Sequence, residues 1–377
     1  MTRHCLALID VFSSIPDFRQ PKGRRHPLKA ILALAAAATL CGYRSYSAIA
    51  EWGRYYGADL ARALGFTHQK TPCASTLHTI FRNLDRQLFE QELGCWAEAV
   101  TGQSLSEGLE STAIDGKSLR GSQKQGAPAA HLLSAVSHRL GLTLSQRAVP
   151  DHTNEIGMVL ELVSGLILEG RVITVDALLT QKKLAEAILA QRGHYLMVVK
   201  ENQAEVLGWI RSVLDEPQWF CEGADEAETV EIGHGRIEHR KIVSSSALSG
   251  SELWPGIKQA LKIERRVIEK KSGLERQEVV YAVTSLSREQ ARAEQLLKMS
   301  RGHWHIENKS HWVRDMTYDE DRSQVRCGSI PQVMAAMRNT AIGLMRCAGE
   351  TNIAAACRRF AAQPWSALAL IGIKPEN

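Results

Sequence analysis

Three acidic residues stand in surroundings that suit chemistry. Asp115 closes an apolar stretch in AIDGKSLRGS, with Lys117 and Arg120 placing positive charge beside its carboxylate. Asp176 closes a second apolar stretch in VITVDALLTQ. Strand ends in α/β sheets are where side chains converge on ligands. A lone aspartate at such a point is most often a turn or helix N-cap residue, but two at strand ends of one sheet point to a site. The third element is RGHWHIENKSHWVRDMTYDEDRSQVR, residues 301–326. On an α-helix, Glu307, His311 and Asp315 lie at i, i+4 and i+8, on one face. The segment holds two Trp, three His and five carboxylates, more than a solvated helix face over a packed core requires.

Carboxylate oxygens are hard ligands that suit Mg²⁺ or Mn²⁺. A pair of such ions activates a water or a 3′-hydroxyl and stabilises the leaving oxygen of a phosphodiester. Three acids gathered without cations repel one another, and the basic residues beside them suit a phosphate backbone. Zinc held by His303, His305 and His311 is the competing metal reading. The sequence has no His-Glu-x-x-His and no Cys at zinc-ligand spacing. Glycosidase chemistry with two carboxylates fits the basic surroundings less well.

Further residues are candidates for holding DNA. Residues 19–29, RQPKGRRHPLK, carry five Lys/Arg and no acid, the pattern of either a solvated loop or a phosphate-contacting arm. Lys200, Asn202 and Gln203 follow a strand in VVKENQ. In HGRIEHRK the alternation sets Arg236, Glu238 and Arg240 on one strand face, for DNA or for internal ion pairs. Arg301 and Arg314 flank Glu307, where an arginine can clamp a phosphate with two hydrogen bonds. Trp304 and Trp312 suit stacking on a flipped base, with core packing expected for at least one. Lys117, Arg120 and His311 complete the set.

These residues need elements to position them. Residues 1–100 read as helical, with Leu28–Leu40 stopped at Cys41-Gly42, a second helix over 45–56 and a third over Thr76–Phe89. The polar stretch TGQSLSEGLEST, 101–112, marks a domain boundary. Strand and helix then alternate: STAIDGKSLRG as a strand into a loop, HLLSAVSHRLGLTLSQRAV as two strands around a turn, a helix from Glu155, RVITVDA as a buried strand, a helix over Gln181–Arg192 and HYLMVV as a strand. Such alternation predicts an α/β sheet. Residues 215–231 hold seven acids and no basic residue, and 232–285 are strand-rich, so 205–285 reads as a β-rich insertion. Helical signals return at Arg288 and run to about 347.

Length and composition set the frame. The chain has 377 residues, 44% hydrophobic and 23% charged, an ordinary globular composition that excludes disorder as its main state. Net charge is 46 − 41 = +5, which permits a polyanionic partner without demanding one. The eight cysteines form no Cys-x-x-Cys pair and read as reduced thiols of a cytoplasmic protein. The longest apolar run, 28–43, has an uncharged core shorter than the roughly 18 residues of a spanning helix, so it predicts a buried helix and no membrane partner.

Taken together, PDFRQPKGRRHPLKAILALAAAATLCGYRSYSAIAEWG, AIDGKSLRGS, NEI at 154–156, ITVDALLTQKKLA, YLMVVKENQ, HGRIEHRK and HWHIENKSHWVRDMTYDED resemble the blocks of DDE transposases of the H-repeat-associated (ISAs-type) insertion-sequence family. The likeness covers nearly the whole chain. It implies an RNase H-like mixed sheet with flanking helices, a β-rich insertion before the glutamate helix and an N-terminal helical domain. It implies domains at 1–105 and 106–350, with a helical tail at 351–377. By the same resemblance Asp115, Asp176 and Glu307 are the catalytic, metal-binding triad, holding two Mg²⁺ or Mn²⁺ ions. The implied activity is cleavage of double-stranded DNA at transposon ends and strand transfer into target DNA, by a homodimer at the bacterial nucleoid. A catalytically silent DNA-binding derivative and another RNase H-like nuclease are the alternatives.

Overall fold

The computed structural model describes residues 7–103, 108–123, 128–150, 155–215, 224–233 and 235–374. Asn154 of NEI, His234 of HGRIEHRK and residues 216–223 of the acidic run lie outside them. The chain opens with helices α1 (Leu8–Ser14), α2 (Leu28–Leu40), α3 (Tyr46–Ala63), α4 (Ala74–Asn83) and α5 (Arg86–Gln103). Every residue of α2 except Lys29 is buried, which accounts for the apolar run as a core helix. No described helix is long and apolar enough to cross a membrane. Gly42, at φ +83°, ends α2 where a side chain would be strained. The single helix expected over Thr76–Phe89 is instead two. Leu84 is extended, and the Asp85 carboxylate accepts the Leu88 N–H at 3.1 Å, so this aspartate caps a new helix.

Among the described residues nine strands follow: β1 (Glu110–Ser118), β2 (His131–Ser137), β3 (Thr143–Val149), β4 (Arg171–Val175), β5 (His194–Val199), β6 (Asp225–Gly233), β7 (Arg236–Ser245), β8 (Gln259–Glu269) and β9 (Glu275–Thr284). They make a mixed sheet in the order β3-β2-β1-β4-β5-β9-β8-β7-β6. β4 runs parallel to β1 and β5. The pairs β2–β3, β5–β9, β9–β8, β8–β7 and β7–β6 are antiparallel. The remaining helices are α6 (Glu155–Ser164), α7 (Lys182–Ala190), α8 (Ala204–Leu214), α9 (Ala293–His303), α10 (Trp312–Met316), α11 (Ile330–Cys347), α12 (Ile353–Ala362) and α13 (Pro364–Leu370). A mixed α/β sheet with flanking helices and a helical N-terminal region agrees with the expectation, and β7–β9 fill the stretch expected to be strand-rich, while helix α8 and strand β6 precede them.

One local expectation is corrected: Asp115 does not stand at the end of its strand. β1 continues to Ser118, and Gly116 is not among the glycines with positive φ. What ends at Asp115 is the pairing with β4, whose last partners are Ile114 and Val175.

The chain divides into two compact units. The first comprises Met1–Ser106, Gly116–Asn154 and Ile306–Asn377. Inside it α2 packs against α3 and α11, while α5 packs against β3 and α11. Leu119, Leu132 and Ala335 form one of its buried clusters. The second unit comprises Glu107–Asp115 and Glu155–His305. Here α9 lies on β4, β6 and β7, α8 lies on β7 and β8, and Val172, Leu196, Ile242, Leu261 and Leu296 are buried together.

Candidate active site

In the second unit, the β1–β4 register decides where the two aspartates stand. Ile114 pairs with Val175, so the next residues along the chain are Asp115, still in β1, and Asp176, just past the end of β4. Neighbouring strands of a sheet lie about 4.8 Å apart. Both aspartates are half-buried. Asp176 also serves as a turn residue: its Oδ1 accepts the Leu179 N–H at 3.1 Å. Thr180 Oγ1 ties the same loop, lying 2.8 Å from the Asp176 carbonyl and 2.6 Å from the Val198 carbonyl, between which its single proton is shared. The structural and the chemical readings of Asp176 therefore coexist.

Neighbouring side chains brace that loop. Asn202 Nδ2 donates to the Ala177 carbonyl at 2.7 Å, and Gln203 Nε2 to the Thr180 carbonyl at 3.1 Å. These two amides hold the Asp176 loop in shape, while Lys200 is exposed. His303, at the end of α9, meets Thr174 Oγ1 through Nδ1 at 3.0 Å. Burial drives its imidazole below the ordinary value, against the opposing charge of Asp176.

Glu307 belongs to the first unit. The expected single α-helical face is not what carries it. Residues Glu307–His311 form a π-helical turn, closed by the Trp312 N–H donating to the Glu307 carbonyl, before α10 begins. Such turns are rare and cluster at functional sites. Within the turn, His311 Nδ1 stands 3.2 Å from Glu307 Oε2, with His311 buried and Glu307 half-exposed. That hydrogen bond holds the Glu307 carboxyl below its usual range, with burial opposing and Lys117 assisting. Lys117 itself donates to Asp315 at 2.6 Å. Burial nevertheless leaves Asp315 raised above the ordinary carboxylate value. Asp315 is thus the partner of a lysine, not a third member of a Glu-His-Asp face.

The remaining candidates have varied placements. Arg314 is completely buried, 2.7 Å from Glu320, so its expected role as a phosphate clamp beside Glu307 is corrected: its guanidinium reaches no surface. Arg301 pairs with Glu231. Arg240 and Arg236 lie 2.6 and 3.7 Å from buried Glu238, so internal ion pairs form along that strand face. Arg120 is exposed, 3.9 Å from Asp321. Trp304 is 62% exposed and Trp312 55%, which corrects the expectation that at least one is core. The sequence missed Glu320. It accepts from Arg314 and Arg338, and Arg338 also donates to the Arg44 carbonyl at 2.9 Å. Burial pushes its carboxyl up, but the two arginines outweigh burial and hold it at about 2. Its only sequence signal was the TYDED run, which reads as a charged surface.

The chemistry of each donor fits a hard divalent cation: Asp115 and Asp176 in the second unit, and Glu307 in the first, each offer carboxylate oxygens.

Comparison with known proteins places the sequence in a family. Residues 107–344 match the transposase DDE domain family, and residues 9–97 match the family described as DDE_Tnp_1-associated. A relative from Escherichia coli O157:H7, named "Putative transposase YncI", is 30% identical over 90% of this chain and 87% of its own length. "H repeat-associated putative transposase YhhI" of Escherichia coli K12 is 28% identical over 90% of each chain. Among solved structures, a piggyBac transposase synaptic complex with hairpin DNA aligns over 96% of this chain and 76% of its own, with a TM-score of 0.42 and 12% identity.

Proposed function

The chain belongs to the DDE transposase family, and from that premise we propose that it cuts DNA at the ends of an insertion sequence and joins them to target DNA. The observation that carries this reading is the pair of half-buried carboxylates, Asp115 and Asp176, each following directly on the last paired residues, Ile114 and Val175, of parallel strands β1 and β4. In this proposal Asp115, Asp176 and Glu307 together hold two Mg²⁺ or Mn²⁺ ions. Bound there, the cations would supply Lewis-acid activation of the attacking oxygen and stabilisation of the leaving one.

The chain's own residues have defined tasks in the scheme. Asp115 presents its carboxylate from β1, and Asp176 from the braced loop after β4. His311 holds Glu307 ionised and aimed. Asn202, Gln203 and Thr180 keep the Asp176 loop in register. Lys200, Arg120 and the basic arm 19–29 meet the phosphate backbone, and exposed Trp304 offers a face to a base. Of the expected DNA contacts, Lys117, Arg236, Arg240 and Arg301 are engaged in ion pairs, and would have to exchange those partners for phosphates. We further propose that residues 1–105, 106–350 and 351–377 act as helical, catalytic and tail domains, and that two copies pair the two DNA ends.

The test is incubation of the purified protein with its own element's ends, with and without Mg²⁺. Metal-dependent nicks at the ends and strand-transfer products are expected. End binding with no cleavage in any divalent ion would favour a silent DNA-binding derivative. Cleavage without strand transfer would favour another RNase H-like nuclease.

A further inference from the structure

The π-turn that presents Glu307 is held from outside. A π-turn departs from the i→i+4 ladder and persists where its surroundings fix it. Lys309, in the middle of the turn, is gripped at both ends. Its carbonyl accepts from Arg346 Nη2 at 2.9 Å, and its ammonium donates to the His138 carbonyl at 2.8 Å. His138 lies in the turn between β2 and β3, and Arg346 in the last turn of α11. Gly141, in that same β2–β3 turn, has φ +64°. A Cβ there would stand 2.8 Å from Arg346 Cδ and 3.2 Å from Lys309 Cδ. The hairpin turn, the arginine and the π-turn are closely packed against one another. All of these groups belong to the first unit.

We propose that Arg346, Lys309 and Gly141 are positioning residues, a clamp that fixes the π-turn and thereby aims Glu307 for the reaction. The proposal rests on the reading of Glu307 as a catalytic carboxylate. None of the three touches the reacting atoms. They act through the backbone of residues 307–311, as outer partners of a metal ligand commonly do.

The experiment uses the full-length protein. Arg346→Met keeps the aliphatic stem and deletes the guanidinium. Gly141→Ala leaves the arginine in the chain and displaces it. Arg346→Lys retains a donor for the Lys309 carbonyl. Amide exchange is read without metal or DNA; cleavage of the element's ends and end binding are read separately. In Arg346→Met and Gly141→Ala, exchange should quicken at residues 307–313 and stay unchanged in α2. Cleavage should fall by roughly 10- to 100-fold while end binding is retained. Arg346→Lys should recover part of both losses. Unchanged exchange at 307–313 in both variants would overturn the clamp. So would acceleration spread equally over α2, which would make Arg346 a general packing residue. Wild-type protein inert with every divalent ion would sink the catalytic reading of Glu307, while the exchange data would still report on the clamp itself.

Discussion

The segment after α9 carries five carboxylates that look alike in sequence, and their surroundings give them different tasks. Glu307 is half-exposed, hydrogen-bonded to His311 and held ionised. Asp315 is the partner of Lys117. Glu320 is locked between two buried arginines. We expect Asp115→Ala, Asp176→Ala and Glu307→Ala each to abolish end cleavage, by a thousandfold or more, since the loss of about 4 kcal/mol of transition-state stabilisation is that large. End binding, measured by mobility shift, should persist because phosphate contacts carry affinity. Binding that vanished together with cleavage would show that these acids maintain the fold. Glu320→Gln should behave in the opposite way. It leaves two buried guanidinium groups without their anion, at a cost of roughly 3–5 kcal/mol, visible as a lower denaturation midpoint. The Glu320 carboxyl, at about 2, is depressed below its ordinary 4.5. Its contribution is therefore present above pH 4.5 and is lost as pH falls through about 2.

At the scale of elements, α5, β3 and α11 meet around a buried polar chain. Gln146 Nε2 donates to Glu90 Oε1 at 2.8 Å, and Asn339 Nδ2 donates to Gln146 Oε1 at 2.9 Å. Burial dominates at Glu90 and lifts its carboxyl to about 7, with Gln146 and Arg86 opposing. A raised folded-state value means stability fully present below pH 4.5 and progressively lost as pH rises through about 7. The difference from the ordinary 4.5 corresponds to roughly 3 kcal/mol. Glu90→Gln should remove most of this slope, and unfolding by urea at pH 5 and pH 8 measures it. A slope equal in wild type and Glu90→Gln would show that Glu90 remains ionised in the folded protein.

For the whole molecule, the basic arm is where the DNA reading meets salt dependence. Arg19 is tied to Asp17 at 2.7 Å, and Arg24 donates to the carbonyls of Arg19 and Asp17 at 2.7 and 3.0 Å. Lys22 and Arg25 are exposed. We expect Lys22→Ala with Arg25→Ala to make the log–log salt slope of end binding shallower, by up to about 0.9 per lost contact. Adding Arg24→Ala should extend the effect less, because its guanidinium already serves the local loop. Stability should move by less than roughly 1 kcal/mol per charge. An unchanged slope would assign the phosphate footprint to other basic residues, Arg120 and Lys200 first.

What the sequence determined by itself were features set by local pattern. Apolar runs named β4, β5 and α2, because a buried element needs an unbroken apolar stretch whatever its partners. Family blocks singled out Asp115, Asp176 and Glu307, because chemistry restricts residue type at those positions. The break at Leu84 was a local signal too, carried by Asp85 as an N-cap. Other features depended on tertiary structure. That Asp115 and Asp176 each follow directly on a paired residue depends on the parallel register of β1 with β4, a pairing across a long stretch of chain. Arg314 looked like a surface clamp, but it is buried against Glu320, and core packing was expected for at least one of Trp304 and Trp312, yet both are more than half exposed. The π-turn at Glu307 has no periodicity of its own. It exists because Arg346 and the β2–β3 turn hold Lys309 from elsewhere in the chain, and contacts between distant residues leave no mark in local pattern.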